Sequence, residues 1–151
     1  MHTTVTARLT AHHRHCDDLL AEAERAAKQN WERCTERFKT FRDSLETHLQ
    51  AEEQQLFPAV EPVLSPVEGP TLSTGGPTSV MRAEHEDMRG LLRLLEGSIE
   101  AADAEGFQGL VETLFILMQQ HNMKEENVLY PLCDRILQGS RSMLADTLKL
   151  P

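Results

Sequence analysis

The sequence predicts an all-α fold, an up-down-up-down four-helix bundle with a short C-terminal helix. Apolar residues recur at alternating steps of three and four along four long segments, and no segment shows the strict alternation of a half-buried strand. Short connections after the first and third segments are typical of antiparallel neighbours in a bundle. At 151 residues the chain suits one domain, residues 1–151, with a single core.

Composition predicts a soluble, cytoplasmic protein. The net charge of −9 argues against nucleic acid or an anionic membrane as a partner, because phosphate groups bind to basic surfaces. The N-terminus lacks the apolar region of a signal peptide, and the longest apolar run, Leu114 to Met118, is too short to cross a membrane. The 3 cysteines form no C-x-x-C pair and suit reduced thiols.

The first two predicted helices are defined by their apolar faces. The first face comprises Leu9, His13, Cys16, Leu20, Ala23 and Ala27. Asn30 is a suitable N-cap for the second helix. The second face comprises Phe38, Phe41, Leu45, His48, Glu52 and then Leu56 or Ala59. Pro58 marks the end of this helix or a kink in it.

A stretch rich in Pro, Gly and Ser from Glu61 to Pro77 predicts a loop over residues 59–78 between the second and third helices. Thr78 or Ser79 is expected to cap the third helix. The face of this helix comprises Met81, His85, Met88, Leu92, Leu95 and Ile99.

The fourth predicted helix follows Asp103, which is a suitable N-cap. Its face comprises Phe107, Leu110, Leu114, Leu117 or Met118, His121, Glu125, Val128 and Leu132. Gly139 is expected to stop the helix. A short amphipathic tail with Met143, Leu144 and Leu148 then closes the chain.

One motif occurs twice, as HLQAEEQQLFP from His48 to Pro58 and as HNMKEENVLYP from His121 to Pro131. Both copies read H-x-x-x-E-E-x-x-L-[F/Y]-P. Each places a histidine and a glutamate one turn apart on the apolar face of its helix. A single copy is a common helical pair, whereas two copies on two helices predict a shared site.

The other two helices carry a histidine in the same layer, His85 in the third and His13 in the first. With a rise of about 1.5 Å per residue, all six side chains fall in one layer near one end of the bundle. A lone histidine on an apolar face is more often a hydrogen-bonded core residue, but buried carboxylates without partners are costly. Iron, manganese and zinc all accept imidazole and carboxylate ligands, so the layer predicts a metal site.

The assignment in the first helix leaves an alternative open. His12 also fits a stripe through Leu9, Cys16 and Leu19, whereas the stripe of His13 continues for two further turns. We favour His13 and expect His12 and His15 to lie in solvent, with an outer-shell role as the alternative. Cys16 lies one turn from His13 and is expected to be a small buried hydrophobe or to line the site.

These residues resemble the hemerythrin-like, or HHE cation-binding, family from Leu9 to about Leu137. The segments that carry the resemblance are HHRHCDDLL, HLQAEEQQLFP, VMRAEHEDMRGLL and HNMKEENVLYP. The resemblance implies a non-heme centre of two iron ions, bridged by carboxylates and an oxo or hydroxo group, with manganese or zinc as substitutes. The implied ligands are four terminal histidines and two bridging glutamates: His13, His48, His85, His121, Glu52 and Glu125.

The sequence departs from the oxygen-carrying members of this family at two places. Met81 stands where those carriers have a second histidine in the third helix, and Glu125 follows His121 by four residues where they have aspartate one residue later. One iron is therefore expected to lack a protein ligand, with solvent or a nearby acid in its place. Glu84 and Glu53 are the adjacent acids, although an exposed position suits both better.

The resemblance implies a protein that binds or senses oxygen, nitric oxide or redox state, with a redox or signalling protein as a further partner. The alternative is a di-iron enzyme, such as an oxidase or a peroxide or nitric oxide reductase, or an iron-donating protein of cluster repair. A metal-free helical interaction module is the third hypothesis. It would leave the buried acids without a role.

Overall fold

The computed structural model describes residues 3–68, 76–138 and 144–150. Within these ranges every regular element is helical, which confirms the all-α class. The helices are α1 Val5–Ala27, α2 Trp31–Ala51, α3 Phe57–Glu68, α4 Gly76–Glu100, α5 Ala104–Lys124, α6 Tyr130–Ile136 and α7 Leu144–Thr147. In the same ranges no helix has the length and apolar character needed to cross a membrane.

Side-chain caps define three helix starts. Asn30 accepts a hydrogen bond from the Arg33 amide at 3.1 Å, and Asp103 accepts one from the Gly106 amide at 2.9 Å. Both caps confirm the sequence prediction. Thr4 caps α1 in the same way. Each cap satisfies an amide that has no partner inside its own helix, and so fixes where the helix begins.

The chain does not leave the helix at the two motif prolines. Residues Glu52–Leu56 and Glu125–Leu129 form π-helical turns, which join α2 to α3 and α5 to α6 without a break. In each turn a wider hydrogen bond spans five residues. The Phe57 amide donates to the Glu52 carbonyl, and the Tyr130 amide donates to the Glu125 carbonyl. A wider turn accommodates the proline that follows, which lacks an N–H and would clash in a regular helix.

Each π turn shifts the buried face by one residue. Val128, predicted to be buried, is 60 % exposed, and its neighbour Leu129 is 2 % exposed. One turn further on, Cys133 and Val60 are buried, whereas Ala59 is exposed. The prediction of Val128 in the core and the Ala59 alternative were therefore wrong, because both assumed a regular helical period through the motif.

The predicted loop 59–78 was too long at both ends. Helix α3 continues to Glu68, since Pro58 is absorbed by the π turn, and α4 begins at Gly76. Pro77 suits the first turn of a helix, so α4 starts upstream of the expected caps, Thr78 and Ser79. Residues 69–75 lie outside the described residues, as do Gly139 and Met143 of the C-terminal prediction.

The buried apolar side chains form two clusters. The larger one contains Phe38, Phe41, Leu95, Phe107 and Leu114. The smaller one contains Leu9, Leu56, Phe57, Leu129 and Tyr130, and it also includes Ala145 of α7 and Leu148 just after that helix. On α1 and α4, His13 and His85 lie between a residue of one cluster and a residue of the other. A polar layer therefore separates two apolar regions.

Candidate metal centre

The six side chains predicted as ligands lie together in this polar layer. They fall into two overlapping groups, and within each group the potential donor atoms lie within 4.8 Å of one another. The first group is Glu52, His85, His121 and Glu125, and the second is His13, His48 and Glu125. All six residues are 4 % exposed or less, so water cannot solvate their charges.

Four donor atoms of the first group are buried without a hydrogen-bond partner. They are Glu52 Oε1, His85 Nε2, His121 Nε2 and Glu125 Oε2. His85 Nε2 lies 3.1 Å from Glu52 Oε1, yet this pair is not aligned as a hydrogen bond. Buried polar atoms are nearly always satisfied, so four such atoms facing one another fit a cation between them.

The second group is built around Glu125 and the hydroxyl of Tyr130. His13 Nε2 lies 3.1 Å from Glu125 Oε1. The Tyr130 oxygen lies 2.5 Å from Glu52 Oε2 and 2.8 Å from Glu125 Oε1. Since a hydroxyl carries one proton, it donates to one carboxylate at a time. The other close contact, between the phenol oxygen and a carboxylate oxygen, then has no proton in it and needs a nearby positive charge.

Tyr130 is a site residue that sequence reasoning missed. It is fully buried, and its oxygen also lies 3.1 Å from His13 Nε2 and 3.4 Å from His48 Nε2. Burial, together with the charges of Glu125 and Glu52, raises the pKa of its phenol well above the usual range. The available signal was the motif itself, whose aromatic position is Phe57 in one copy and Tyr130 in the other.

Three of the four histidines are held from behind by a glutamate. A carboxylate on Nδ1 fixes the ring and the tautomer, which leaves Nε2 free to face the centre. The contacts are His13 Nδ1 to Glu126 Oε2 at 2.6 Å, His85 Nδ1 to Glu53 Oε2 at 2.7 Å, and His121 Nδ1 to Glu84 Oε1 at 2.9 Å.

These outer contacts correct the roles expected of Glu53 and Glu84. Neither is fully exposed, because Glu53 contacts His85 and Glu84 contacts His121, and Met81 is buried in the smaller apolar cluster. Sequence reasoning missed Glu126 altogether, although the E-E pair in both copies pointed to it. In each copy the first glutamate faces the centre and the second supports a histidine of another helix.

A basic side chain at the surface pairs with each supporting glutamate. Arg89 lies 2.9 Å from Glu53, Arg14 lies 3.1 Å from Glu126, and Lys124 pairs with Glu84. Burial raises the pKa of the Glu53 carboxyl, but His85 and Arg89 outweigh it and bring the pKa down to about 2. The supporting acids therefore stay ionised.

The fourth histidine, His48, has an imidazole behind it instead of a carboxylate. His48 Nδ1 lies 2.8 Å from His12 Nδ1, and the two rings are stacked with 9° between their planes. Burial, then the charge of His48, lowers the pKa of His12 to about 3, so His12 is neutral. The expected solvent position is correct for His15 and wrong for His12, because α1 packs against both α2 and α5.

The histidine protons balance the charge of the buried acids. Burial lowers the pKa of His85, but the adjacent carboxylates of Glu52 and Glu53 outweigh it and raise the pKa to about 9. The pKa of His13 is raised in the same way by Glu125, against burial. A cation that entered the layer would take over this charge balance from the protons.

A helical bundle with a buried layer of histidines and glutamates defines a class of cation-binding proteins. Comparison with protein families agrees, because the family model of the hemerythrin HHE cation binding domain matches residues 4–133. The chain belongs to this family. Searches of the curated proteins and of the solved structures found no significant match.

Proposed function

We propose that the chain is a non-heme di-iron protein that binds or senses oxygen, nitric oxide or redox state. The proposed terminal ligands are His13, His48, His85 and His121, and the proposed bridges are Glu52 and Glu125. The scaffold is an up-down-up-down bundle that brings one histidine of each long helix to the same layer. Manganese or zinc would suit the same donors.

The observation that carries this proposal is the set of four buried donor atoms without hydrogen-bond partners. The positions of the two glutamates also support the proposed bridging roles. Glu52 Oε1 lies 3.1 Å from His85, while Glu52 Oε2 lies 3.6 Å from His48, so its two oxygens face different groups. Glu125 belongs to both groups. A bridging carboxylate requires this arrangement.

The two groups differ in the number of donors that the protein offers. The group of Glu52 and His85 has four protein side chains, and the group of His13 and His48 has three. Iron supplies reversible one-electron exchange and an open coordination position for a small ligand. The protein's residues hold the ions, exclude water and keep a proton on Tyr130 beside both carboxylates.

We also propose that the partners are a small diatomic ligand and a redox or signalling protein, and that the protein works in the cytoplasm. All three cysteines are free and buried, which suits a reducing compartment. The net charge of −9 supports neither nucleic acid nor an anionic membrane surface as a partner.

Tyr130 favours a second candidate function, a di-iron oxidase or a peroxide or nitric oxide reductase. Its buried O–H lies within hydrogen-bond reach of both glutamates and can donate a hydrogen bond to a reacting group. Steady turnover of peroxide or nitric oxide with an electron donor would support the enzyme. Stoichiometric binding without turnover would support the sensor.

The first test is metal content, measured on protein purified without added metal, with absorption spectra of the reduced form before and after exposure to air. We expect two irons per chain and a new near-ultraviolet band from an oxo bridge once oxygen is admitted. A single zinc, or no metal and no spectral change, would overturn the di-iron proposal.

A further inference from the structure

A groove that opens to solvent lies between α1 and α5, beside the larger apolar cluster. Its volume is about 250 Å³. Leu20 and Val111, two buried members of that cluster, form its base. Two apolar and three acidic side chains form its walls: Ala21, Phe115, Asp17, Glu24 and Glu112. The groove is therefore apolar at its base and negatively charged at its edges.

The longest apolar run of the sequence contributes to this groove. Leu114 and Met118 of that run are buried in the core, whereas Phe115 is 44 % exposed and its neighbour Ile116 is 57 % exposed. Single exposed apolar residues are normal at a protein surface. Two large ones together, one of them in the wall of an apolar groove, are typical of an interaction site.

The three acids of the groove are held by neutral amides. Gln119 Nε2 donates to Asp17 Oδ1 at 3.1 Å. Gln108 Nε2 donates to Glu24 Oε2 at 2.7 Å and to Glu112 Oε1 at 3.3 Å. An amide orients a carboxylate but does not balance its charge. In the described part of the chain, none of the three acids has an ion pair with lysine or arginine.

The interface between α2 and α4 has the positive charge that the groove lacks. There, Arg42 lies 2.9 Å from Glu96, and Arg89 lies 2.8 Å from Glu46. In α1 no lysine or arginine stands between positions 14 and 25, and in α5 none stands before position 124. A cation that pairs with the acids of the groove would therefore come from another molecule.

We propose that this groove binds an amphipathic helix of a partner protein, whose apolar side chains pack on Phe115 and whose lysines or arginines face the three acids. Asp17 and Glu24 stand seven residues apart on α1, about 10 Å along its axis, which matches basic residues two turns apart on a helix. A second copy of this chain is a poor occupant, because the same face of two copies would bring acids against acids. The inference locates the binding face for the proposed redox or signalling partner and rests on that part of the proposed function.

The probe is a fluorescently labelled synthetic peptide that forms such a helix, with lysines seven residues apart and leucines between them. Binding to the full-length protein is followed by fluorescence anisotropy. Glu112→Lys tests the charge, and Glu36→Lys on α2 is its matched control, because both glutamates are exposed and the change of net charge is the same. We expect Glu112→Lys to raise the Kd of the peptide at least tenfold. The control should stay within about twofold of the wild type, because salt screens distant charges.

A second pair of variants tests the apolar contact. Phe115→Ala removes the exposed ring, and Leu94→Ala removes an exposed side chain of α4 that lies outside the groove and is 58 % exposed. We expect at least a tenfold rise in Kd for Phe115→Ala, as for an aromatic anchor of an interface, and an unchanged Kd for Leu94→Ala. Equal effects within either pair would show attraction to the protein surface in general and would overturn the inference.

Iron content, measured on the same samples, keeps this inference apart from the di-iron proposal. We expect it to be unchanged in all four variants, because none of the four positions lies in the polar layer. Specific binding of the peptide by a wild type without iron would support the groove and contradict the di-iron centre. An iron-loaded wild type that does not bind the peptide at millimolar concentration would overturn the groove alone.

Light scattering tests the competing occupant. We expect the wild type to be in the same oligomeric state as Phe115→Ala. A wild-type dimer that Phe115→Ala dissociates would assign the groove to a second copy of the chain and would overturn the inference.

Discussion

At the residue scale, the two buried glutamates are the side chains whose presence most needs explanation. Glu52 and Glu125 are both 0 % exposed, and each has an oxygen with no hydrogen-bond partner. Two carboxylates close together in an apolar interior repel each other and lose hydration, and neither cost is met by the surrounding backbone. Positive charge from protons or from metal ions is therefore part of the fold.

Replacing one of the two bridging glutamates should reduce the amount of bound metal and not merely the affinity for it. We expect Glu52→Ala to bind at most one iron per chain, because Glu52 faces both groups of donors. Elemental analysis of the purified protein measures this. Glu36→Ala is the control, since Glu36 is exposed on α2 and lies outside the centre. An unchanged iron content in Glu52→Ala would show that the bridging assignment is wrong.

The supporting glutamates should affect metal affinity because they orient the histidine rings. Removing the carboxylate behind His13 with Glu126→Gln leaves the ring free to turn, and such changes typically cost about 10- to 100-fold in metal affinity. Competition with a chelator gives the affinity directly. Glu36→Gln, on the exposed face of α2, should leave it unchanged. Equal affinities for both variants would mean that Glu126 only pairs with Arg14 at the surface.

Tyr130 should matter most when no metal is present. In Tyr130→Phe the buried carboxylates lose a charge-assisted hydrogen bond, worth about 1.5–3 kcal/mol of the free energy of unfolding in the metal-free protein. A bound cation supplies the same compensation, so the loss should be smaller after iron loading. Denaturant unfolding with and without chelator measures both values. A larger loss in the loaded protein would instead assign the phenol a direct role at the metal.

At the scale of the helix, the π turns decide which residues reach the centre. Each turn inserts one residue between the ligand glutamate and the aromatic residue, which brings Phe57 beside His85 and Tyr130 beside both carboxylates. With a regular helical period, position 128 would point inward and Tyr130 would turn away. The extra residue therefore has a function although its own side chain is exposed.

Deleting Val128 tests this directly. The deletion removes no buried side chain, but it restores the regular period and brings Pro131 back against the preceding turn. We expect a loss of about 3 kcal/mol or more in the free energy of unfolding, together with a loss of iron. Val128→Ala removes the same exposed methyl groups but leaves the helical period unchanged. Its free energy of unfolding should stay within about 0.5 kcal/mol of the wild-type value. A deletion variant as stable as Val128→Ala would contradict the argument.

Helical periodicity predicts which side chains share a face, and this is why the six proposed ligands could be assigned to one layer from their spacing, with His12 as an alternative to His13. It says nothing about which side chain of another helix lies opposite. Glu126, Tyr130 and His12 were therefore missed or misplaced, because each takes its role from a partner on a different helix. Val128 was misplaced for another reason, since a π turn breaks the period on which the prediction depended.

At the scale of the whole molecule, the polar layer divides the interior into two apolar clusters, so its charge balance affects both. In the metal-free protein, protons alone must balance the charge of the two buried carboxylates that lie among the four imidazoles of the layer. A cation that binds only the folded state stabilises it by about 2.7 kcal/mol at a hundredfold excess over its Kd. Metal should therefore contribute to the stability of the whole fold.

Removing metal should lower the Tm of the entire protein in one cooperative transition. Both apolar clusters pack on the layer, so neither can melt while the other keeps its contacts. Thermal unfolding followed by far-ultraviolet circular dichroism, before and after chelation and again after iron is restored, measures the effect. Glu52→Ala is the control, because a variant that holds little metal should respond little to the chelator. A wild-type Tm that chelation leaves unchanged would favour the metal-free interaction module, and the buried glutamates would then be compensated by the protons of His13 and His85.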